Sequence, residues 1–178
     1  RAIAAYESLI ERDSTSRGAL NNVAILYQGK RDFARAEDRF RRATDAAPPF
    51  GGSFSQLEAV QLSEGKLSAA ESTLVRFEKS LPGHSYIPTT KAAIAIARGN
   101  IAAADSLMRA ALPSLRGVSR GYVLGTISNI AAMRGRLRDG ERIWAQTAEV
   151  PSGGVVPPVR HLAVLLDSAW VQAFFLED

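Results

Sequence analysis

The apolar side chains between residues 17 and 50 recur at helical spacing in two runs. The members are Leu20, Val23, Ala24 and Tyr27 in the first run and Phe33, Ala36, Phe40 and Ala43 in the second. Steps of three and four residues place each run on one face of a helix. Residues 29–31 interrupt the pattern and Pro48 ends it. The segment is therefore predicted to form two amphipathic helices joined by a tight turn.

The same pattern returns along the chain with a period of about 34 residues. It divides the sequence into a half unit and four full units, at residues 1–16, 17–50, 51–84, 85–118 and 121–152. The last unit stays in register only if about two residues are added in the connection between Leu115 and Gly121, which is a small entropic cost. The half unit reads as a second helix without its first, so we expect the chain to be a piece of a longer protein.

A helix–turn–helix unit of this length resembles the tetratricopeptide repeat. Ala24 and Ala36 are small where the two helices of such a repeat approach, and Tyr27 is large where the facing helix leaves room. The resemblance implies an all-α fold, a right-handed superhelical solenoid of antiparallel helix pairs. The second unit departs from the pattern, because Glu58 and Gln61 stand where small or apolar residues are expected.

The chain ends in a further predicted amphipathic helix, residues 158–176, after a segment rich in Gly and Pro. Its apolar side consists of Leu162, Leu166, Ala169, Trp170, Ala173 and Phe174. A stack of repeats needs a terminal helix to cover its last unit, so we interpret this segment as a cap that completes a single domain, residues 1–178. The alternative is a helix that docks on a partner or begins another repeat. It is not a membrane span, because Asp167 interrupts a short apolar run.

The sequence contains no set of residues that suggests catalysis or metal binding. It has no Cys, and its two His residues, His84 and His161, are far apart. Lys66 follows Gly65 but lacks the Ser or Thr of a phosphate-binding loop. We therefore predict a protein that is not an enzyme and has no metal or cofactor. The cytoplasm is the default compartment, unless a membrane segment elsewhere places the repeats outside.

The net charge of +4 makes nucleic-acid binding an alternative function. However, Arg35, Arg39 and Arg42 share one face of a predicted helix with Asp38. Interspersed acids are typical of a solvated surface with local ion pairs. Aromatic residues, which could stack on bases, are not interleaved with these cations.

The resemblance also implies where a partner binds, since first helices line the concave side of the solenoid. The residues that the family places on this side are uncharged in this chain. They are Asn21, Asn22, Ile25, Gln28, Ser55, Gln56, Leu62, Tyr86, Thr89, Thr90, Tyr122, Thr126 and Asn129. Amides can pair with a peptide backbone, and Ile and Tyr offer apolar contact. The lack of Lys and Arg disfavours capture of a chaperone's C-terminal carboxylate.

These features predict a protein–protein interaction scaffold that binds a peptide or a helix of its partner in a neutral groove. By analogy with the family, we expect a module of a larger bacterial regulatory protein. The alternatives are a basic nucleic-acid-binding repeat module, a small-ligand-binding domain, and a structural spacer or oligomerisation domain.

Overall fold

The structure is a computed structural model that describes residues 1–149. Every regular element in this part of the chain is helical, which confirms the predicted all-α class. Short 3-10 turns follow the seventh and ninth α-helices. The α-helices are α1 (Ala2–Arg12), α2 (Arg17–Gly29), α3 (Phe33–Asp45), α4 (Gly51–Ser63), α5 (Leu67–Ser80), α6 (Ile87–Ala97), α7 (Ile101–Ala111), α8 (Gly117–Met133) and α9 (Leu137–Ala145).

The helices fall into two compact units, one from Arg1 to Gly99 and one from Asn100 onward. In the first unit each helix from α1 to α5 packs against the next helix in the chain. In the second unit α7 packs against α8 and α8 against α9. Connections of a few residues make consecutive helices antiparallel. The predicted pairs α2–α3 and α4–α5 lie in the first unit and α8–α9 lies in the second, whereas α6 belongs to the first unit and α7 to the second.

The main core of the first unit lies between α1, α2, α3 and α4. Ala24 and Ala36 are completely buried in it, as expected for two helices that approach closely. Burial of each large apolar side chain contributes roughly 1.5–3 kcal/mol. The buried members are Ile10, Ala19, Leu20, Val23, Ala24, Tyr27, Ala36, Phe40, Ala43, Leu57 and Val60.

The turn within each helix pair has one residue in the left-handed region of backbone conformation. These residues are Arg31, Gly65, Gly99 and Gly135, with φ of 60°, 70°, 76° and 72°. Gly adopts this conformation without steric cost, and only the first turn uses a residue with a side chain. The first three residues are separated by the period of the apolar pattern, and the last by two residues more.

The connection before α8 is short. The helix α8 begins at Gly117, within the segment between Leu115 and Gly121 where the sequence pattern needs about two added residues. Arg116 Nη1 donates to the carbonyl oxygen of Pro113 at 2.7 Å, and Arg120 Nη1 donates to that of Leu112 at 2.9 Å. These side chains satisfy the carbonyl groups of the 3-10 turn that follows α7. The chain can therefore begin α8 directly after this turn.

The predicted capping helix, residues 158–176, and residues 150–152 of the fourth unit lie outside the described part of the chain. Among residues 1–149, no helix has the length and apolar character needed to cross a membrane.

Candidate interaction surface

The predicted groove residues of α2 lie at or near the surface. Ile25 is 43% exposed and Asn22 is exposed, whereas Asn21 and Gln28 are half-buried. Asn22 and Gln28 are each three residues from Ile25, so the three share one face of the helix. Asn22 Nδ2 donates to Tyr6 Oη at 3.4 Å, which places this amide beside α1. An apolar side chain thus stands at the surface between two amides.

The predicted groove residues of α4 continue this uncharged surface. Ser55, Gln56 and Leu62 are all half-buried. A hydrogen bond joins the two helices, because the buried Ser53 Oγ donates to Asn21 Oδ1 at 3.1 Å. We call the following set the α2–α4 face: Asn21, Asn22, Ile25, Gln28, Ser55, Gln56 and Leu62.

Two of the three predicted groove residues near the start of α6, Thr89 and Thr90, differ from the expectation. Thr89 and Thr90 are buried, and their hydroxyl groups donate to the carbonyl oxygen of Tyr86 at 2.7 and 3.1 Å. Tyr86 is half-buried against His84, with ring centroids 5.2 Å apart. Because α6 begins at Ile87, both Thr side chains stand in its first turn and bond its backbone. They are therefore not surface residues.

The second unit places its three predicted residues on α8. Tyr122 is 61% exposed and Asn129 is exposed. Thr126 is half-buried, and its hydroxyl donates to the carbonyl oxygen of Tyr122 at 3.0 Å. Steps of four and three residues place the three side chains on one face of α8. They belong to the second compact unit.

Sequence reasoning missed an ion pair that recurs between successive helix pairs. An acidic residue on a second helix contacts a cation in the turn of the following pair. The acidic residues are one repeat period apart, which is a signal that the sequence carries. The pairs are Glu37–Lys66 at 2.7 Å and Glu71–Arg98 at 2.6 Å in the first unit, and Asp105–Arg134 at 3.3 Å in the second.

Glu7 connects α1 to the two helices that follow it. It accepts hydrogen bonds from Arg39 Nε at 3.2 Å, from Arg39 Nη2 at 3.1 Å and from Tyr27 Oη at 3.0 Å. Burial raises the pKa of Glu7, but the hydrogen bonds from Arg39 and Tyr27 outweigh burial and leave the pKa below its ordinary value. Hydrogen bonds to an ionised group are the stronger kind, so this carboxylate holds α1 in place.

Glu58 is a buried acid that forms no ion pair with the other residues of the described range, 1–149. Its side chain is almost fully buried, and Oε1 has no hydrogen-bond partner within residues 1–149. Burial raises the pKa of Glu58 to about 8, so the carboxyl group is mostly protonated at neutral pH. The nearby Gln61 is buried too, but it donates to Glu37 and accepts from Thr73. A perturbed carboxyl can mark a functional site, but Glu58 is enclosed in the fold.

Within residues 1–149, no three His, Asp or Glu side chains form a group that could hold a metal ion. His84 contributes to packing instead. Its ring contacts that of Phe77, with centroids 5.3 Å apart, and its Nδ1 accepts from the backbone N–H of Tyr86 at 3.2 Å.

Known proteins resemble this chain in structure but not in sequence. No family model matches the chain, and no curated protein matches it. Solved structures do match, at sequence identities that make the likeness one of fold alone.

The chain is similar to TTC0263, a thermophilic tetratricopeptide repeat protein of Thermus thermophilus. The identity is 16% and the TM-score 0.69, over 92% of this chain and 89% of that one. PilF of Pseudomonas aeruginosa has 13% identity and a TM-score of 0.62, over 97% and 82% of the two chains. YrrB, a tetratricopeptide repeat protein with an unusual peptide-binding site, has 17% identity and a TM-score of 0.51, over 94% and 81%.

Proposed function

We propose that this chain, which has the tetratricopeptide repeat fold of these structures, is a non-catalytic scaffold that binds a protein partner. The binding element is the α2–α4 face, and the partner segment is a peptide or a helix. We further propose that the chain serves as a module of a larger bacterial regulatory protein, in keeping with the bacterial sources of TTC0263 and PilF. Function on a shared fold depends on the site, so the argument rests on this face.

The observation that carries the proposal is the exposed Ile25 between two amide side chains. Asn22 and Gln28 can donate and accept hydrogen bonds with a peptide backbone. Ile25 can contact an apolar side chain of the same peptide. No residue of the α2–α4 face is charged, so the partner segment that fits it presents an apolar residue with an uncharged backbone beside it. The peptide-binding site of YrrB supports this class of partner.

The ion pairs of this chain make nucleic acid a poorer candidate for its partner. Arg39, Arg41, Arg76 and Arg98 each lie within 3.1 Å of a carboxylate oxygen of this chain. Binding to phosphate groups draws its affinity from cations that exchange counterions, and these cations already have acidic partners.

The proposal is tested by selecting peptides from a random phage-displayed library on the full chain. Affinities of the selected peptides are then measured by fluorescence anisotropy on Ile25→Glu and Asn22→Glu. Each substitution places an unpaired charge in the contact, so we expect affinity to fall by about tenfold or more. Val75→Glu is the matched control, because Val75 is 65% exposed on α5, outside the α2–α4 face.

Selected peptides that bind Ile25→Glu and Val75→Glu equally well contradict this face as the site. Binding of a single-stranded RNA that falls steeply with salt and is unaffected by Ile25→Glu favours the nucleic-acid alternative instead. Unchanged melting temperatures of Ile25→Glu and Asn22→Glu establish that these substitutions act on binding and not on folding.

A further inference from the structure

An excess of positive charge surrounds one carboxylate in the second unit. Asp105 of α7 is buried, and its Oδ1 accepts a hydrogen bond from Arg109 Nε at 2.9 Å. Its Oδ2 lies 3.3 Å from Arg134 Nη1 and 3.6 Å from Arg136 Nη2, and both of these cations belong to the turn between α8 and α9. Three guanidinium groups therefore share one acid, which leaves two positive charges unbalanced.

The corresponding ion pairs of the first unit are balanced. Within its described residues, two acids meet two cations around Glu37, and Glu71 meets a single cation. The contacts are Glu37–Lys66, Glu37–Arg41, Glu64–Lys66 and Glu71–Arg98. The excess of cations is therefore a feature of the second unit and not of the repeat in general.

The guanidinium groups around Asp105 retain donors that this acid does not use. Each guanidinium offers more N–H donors than one carboxylate can accept. Within residues 1–149, Arg136 Nε and Nη2 are buried and have no hydrogen-bond partner. The side chains of Arg109 and Arg134 are 48% and 40% exposed, so a second anion can reach them from solvent.

Arg138 adds a further cation beside this turn. It is exposed in the first turn of α9. The acids of this helix are Asp139, which pairs with Arg142, and Glu141. Neither acid forms an ion pair with Arg138 in the described part of the chain.

We propose that these cations form a binding site for an acidic segment of a protein partner, distinct from the uncharged α2–α4 face. We call the set the Asp105 cluster: Asp105, Arg109, Arg134, Arg136 and Arg138. Asp and Glu side chains of the partner accept charge-assisted hydrogen bonds from the guanidinium groups, which can be bidentate. Asp105 orients the cations without neutralising them, so the site is positively charged before the partner arrives.

The convergence of the cations favours a short acidic segment over a nucleic-acid strand. A strand is bound by cations that follow its backbone over several nucleotides. In this unit Arg116 and Arg120 lie near the start of α8, whereas the turn with Arg134 follows its end. Both of these side chains donate to backbone carbonyl oxygens, so they do not extend the Asp105 cluster into a row.

The test is fluorescence anisotropy of a labelled oligoglutamate peptide with the full chain at low salt. We expect saturable binding that weakens as salt screens the charges. The double variant Arg109→Gln/Arg134→Gln should lower the affinity by about tenfold or more. Arg12→Gln is the matched control, because it removes one charge from an exposed residue of the first unit, and it should change the affinity by less than about twofold.

Melting temperatures establish whether the variants keep the fold. If the double variant melts at a lower temperature than the wild type, Arg138→Gln replaces it, because this exposed side chain forms no ion pair within residues 1–149. The single substitution should lower the affinity by about threefold.

Two further measurements separate this site from the alternatives. Ile25→Glu should leave oligoglutamate binding unchanged, because the α2–α4 face belongs to the first unit. The site therefore stands even if no peptide selected from the random library binds that face. A single-stranded RNA of the same net charge should bind more weakly than oligoglutamate.

The proposal is overturned if oligoglutamate does not bind at low salt or if Ile25→Glu abolishes its binding. Equal affinities of the Asp105-cluster variant and Arg12→Gln overturn it as well, since they show attraction to the overall charge of the chain. Tighter binding of the RNA, weakened by the same cluster variant, assigns the cluster to nucleic acid instead.

Discussion

The helix pairs α2–α3 and α4–α5 have the same architecture but place different residues where their helices approach. Ala24 and Ala36 stand at this point in the first pair and are fully buried. The second pair has Glu58 and Ala70 at the corresponding positions, with Glu58 only 2% exposed. A carboxyl group therefore takes the place of a methyl group without altering the order of the helices.

The comparison shows that a buried carboxyl group can occupy the position that Ala24 holds in the first pair. Burial raises the pKa of Glu58 to about 8, so the side chain is accommodated mainly as an uncharged acid. Charged groups on the neighbouring helices form ion pairs with residues other than Glu58. Glu37 of α3 pairs with Lys66 and Arg41, and Lys91 of α6 pairs with Glu78 of α5.

The largest expected effect is a dependence of stability on pH that Glu58 introduces. The pKa of this group in the folded chain, about 8, exceeds the ordinary value of 4.5. Its stabilising contribution is complete below pH 4.5 and is lost as pH rises through about 8, at a rate on the order of 1 kcal/mol per pH unit. We expect Glu58→Gln to match the wild type near pH 5 and to be more stable by a few kcal/mol near pH 9.

Urea denaturation of both proteins across this pH range measures the difference. Glu7 and Glu37 do not interfere, because their lowered pKa values place their contributions at more acidic pH. Parallel pH profiles for the wild type and Glu58→Gln contradict the protonated state of Glu58.

The second prediction concerns the first pair, where the approach of the helices leaves no space. Ala36→Trp overfills this contact and should lower the free energy of unfolding by about 1–3 kcal/mol or more. Ala34→Trp on the same helix is the control, because Ala34 is exposed more than Ala36. If the two substitutions shift the urea midpoint equally, the assignment of repeat positions is wrong.

Much of the fold could be predicted, because the apolar residues repeat and a repeat needs only local spacing to be recognised. The two runs in α2 and α3 lie in the core as expected. The burial of Thr89 and Thr90 could not be predicted, since it depends on where α6 begins and on helices that pack around it. The missing hydrogen-bond partner of Glu58 likewise depends on contacts between helices, which sequence spacing does not specify.

The candidate site was predicted less completely for a related reason. Helical spacing indicates which residues share a face with Ile25, and the structure leaves Asn22 and Ile25 exposed. Helical spacing does not indicate which polar groups are already hydrogen-bonded within the fold. Asn21 accepts a hydrogen bond from Ser53 of another helix, and that contact follows from tertiary packing alone.

The third prediction concerns the fourth pair, where a Gly accompanies a polar residue at the crossing. A Cβ at Gly140 would lie 3.0 Å from the carbonyl oxygen of Ser128, a backbone atom that has little room to move. We expect Gly140→Ala to lose about 1 kcal/mol of stability, although Ala favours helix. Gly18→Ala is the control, since within residues 1–149 no atom beyond its chain neighbours and the nearby backbone of its own helix lies within 4 Å of the added Cβ. This substitution should raise the free energy of unfolding by less than about 1 kcal/mol. Thermal melts that show a gain for both variants contradict close packing at Gly140.

The smallest expected effect comes from the exposed ion pair Glu71–Arg98, which we compare with the more buried ion pair Glu37–Lys66. The side chain of Glu71 is 34% exposed and its partner Arg98 is 58% exposed, so solvent screens the interaction. Glu71→Gln should therefore lower the free energy of unfolding by only about 0.2–1 kcal/mol.

The side chain of Glu37 is 9% exposed and it also accepts a hydrogen bond from Gln61, so Glu37→Gln should lower the free energy of unfolding by about 1–3 kcal/mol. Urea denaturation at low and high salt distinguishes the two ion pairs. Salt screens the exposed Glu71–Arg98 pair of the wild type, so only the stability of Glu71→Gln should approach that of the wild type as the salt concentration rises. Equal losses for both variants at all salt concentrations would mean that burial does not set the strength of these contacts.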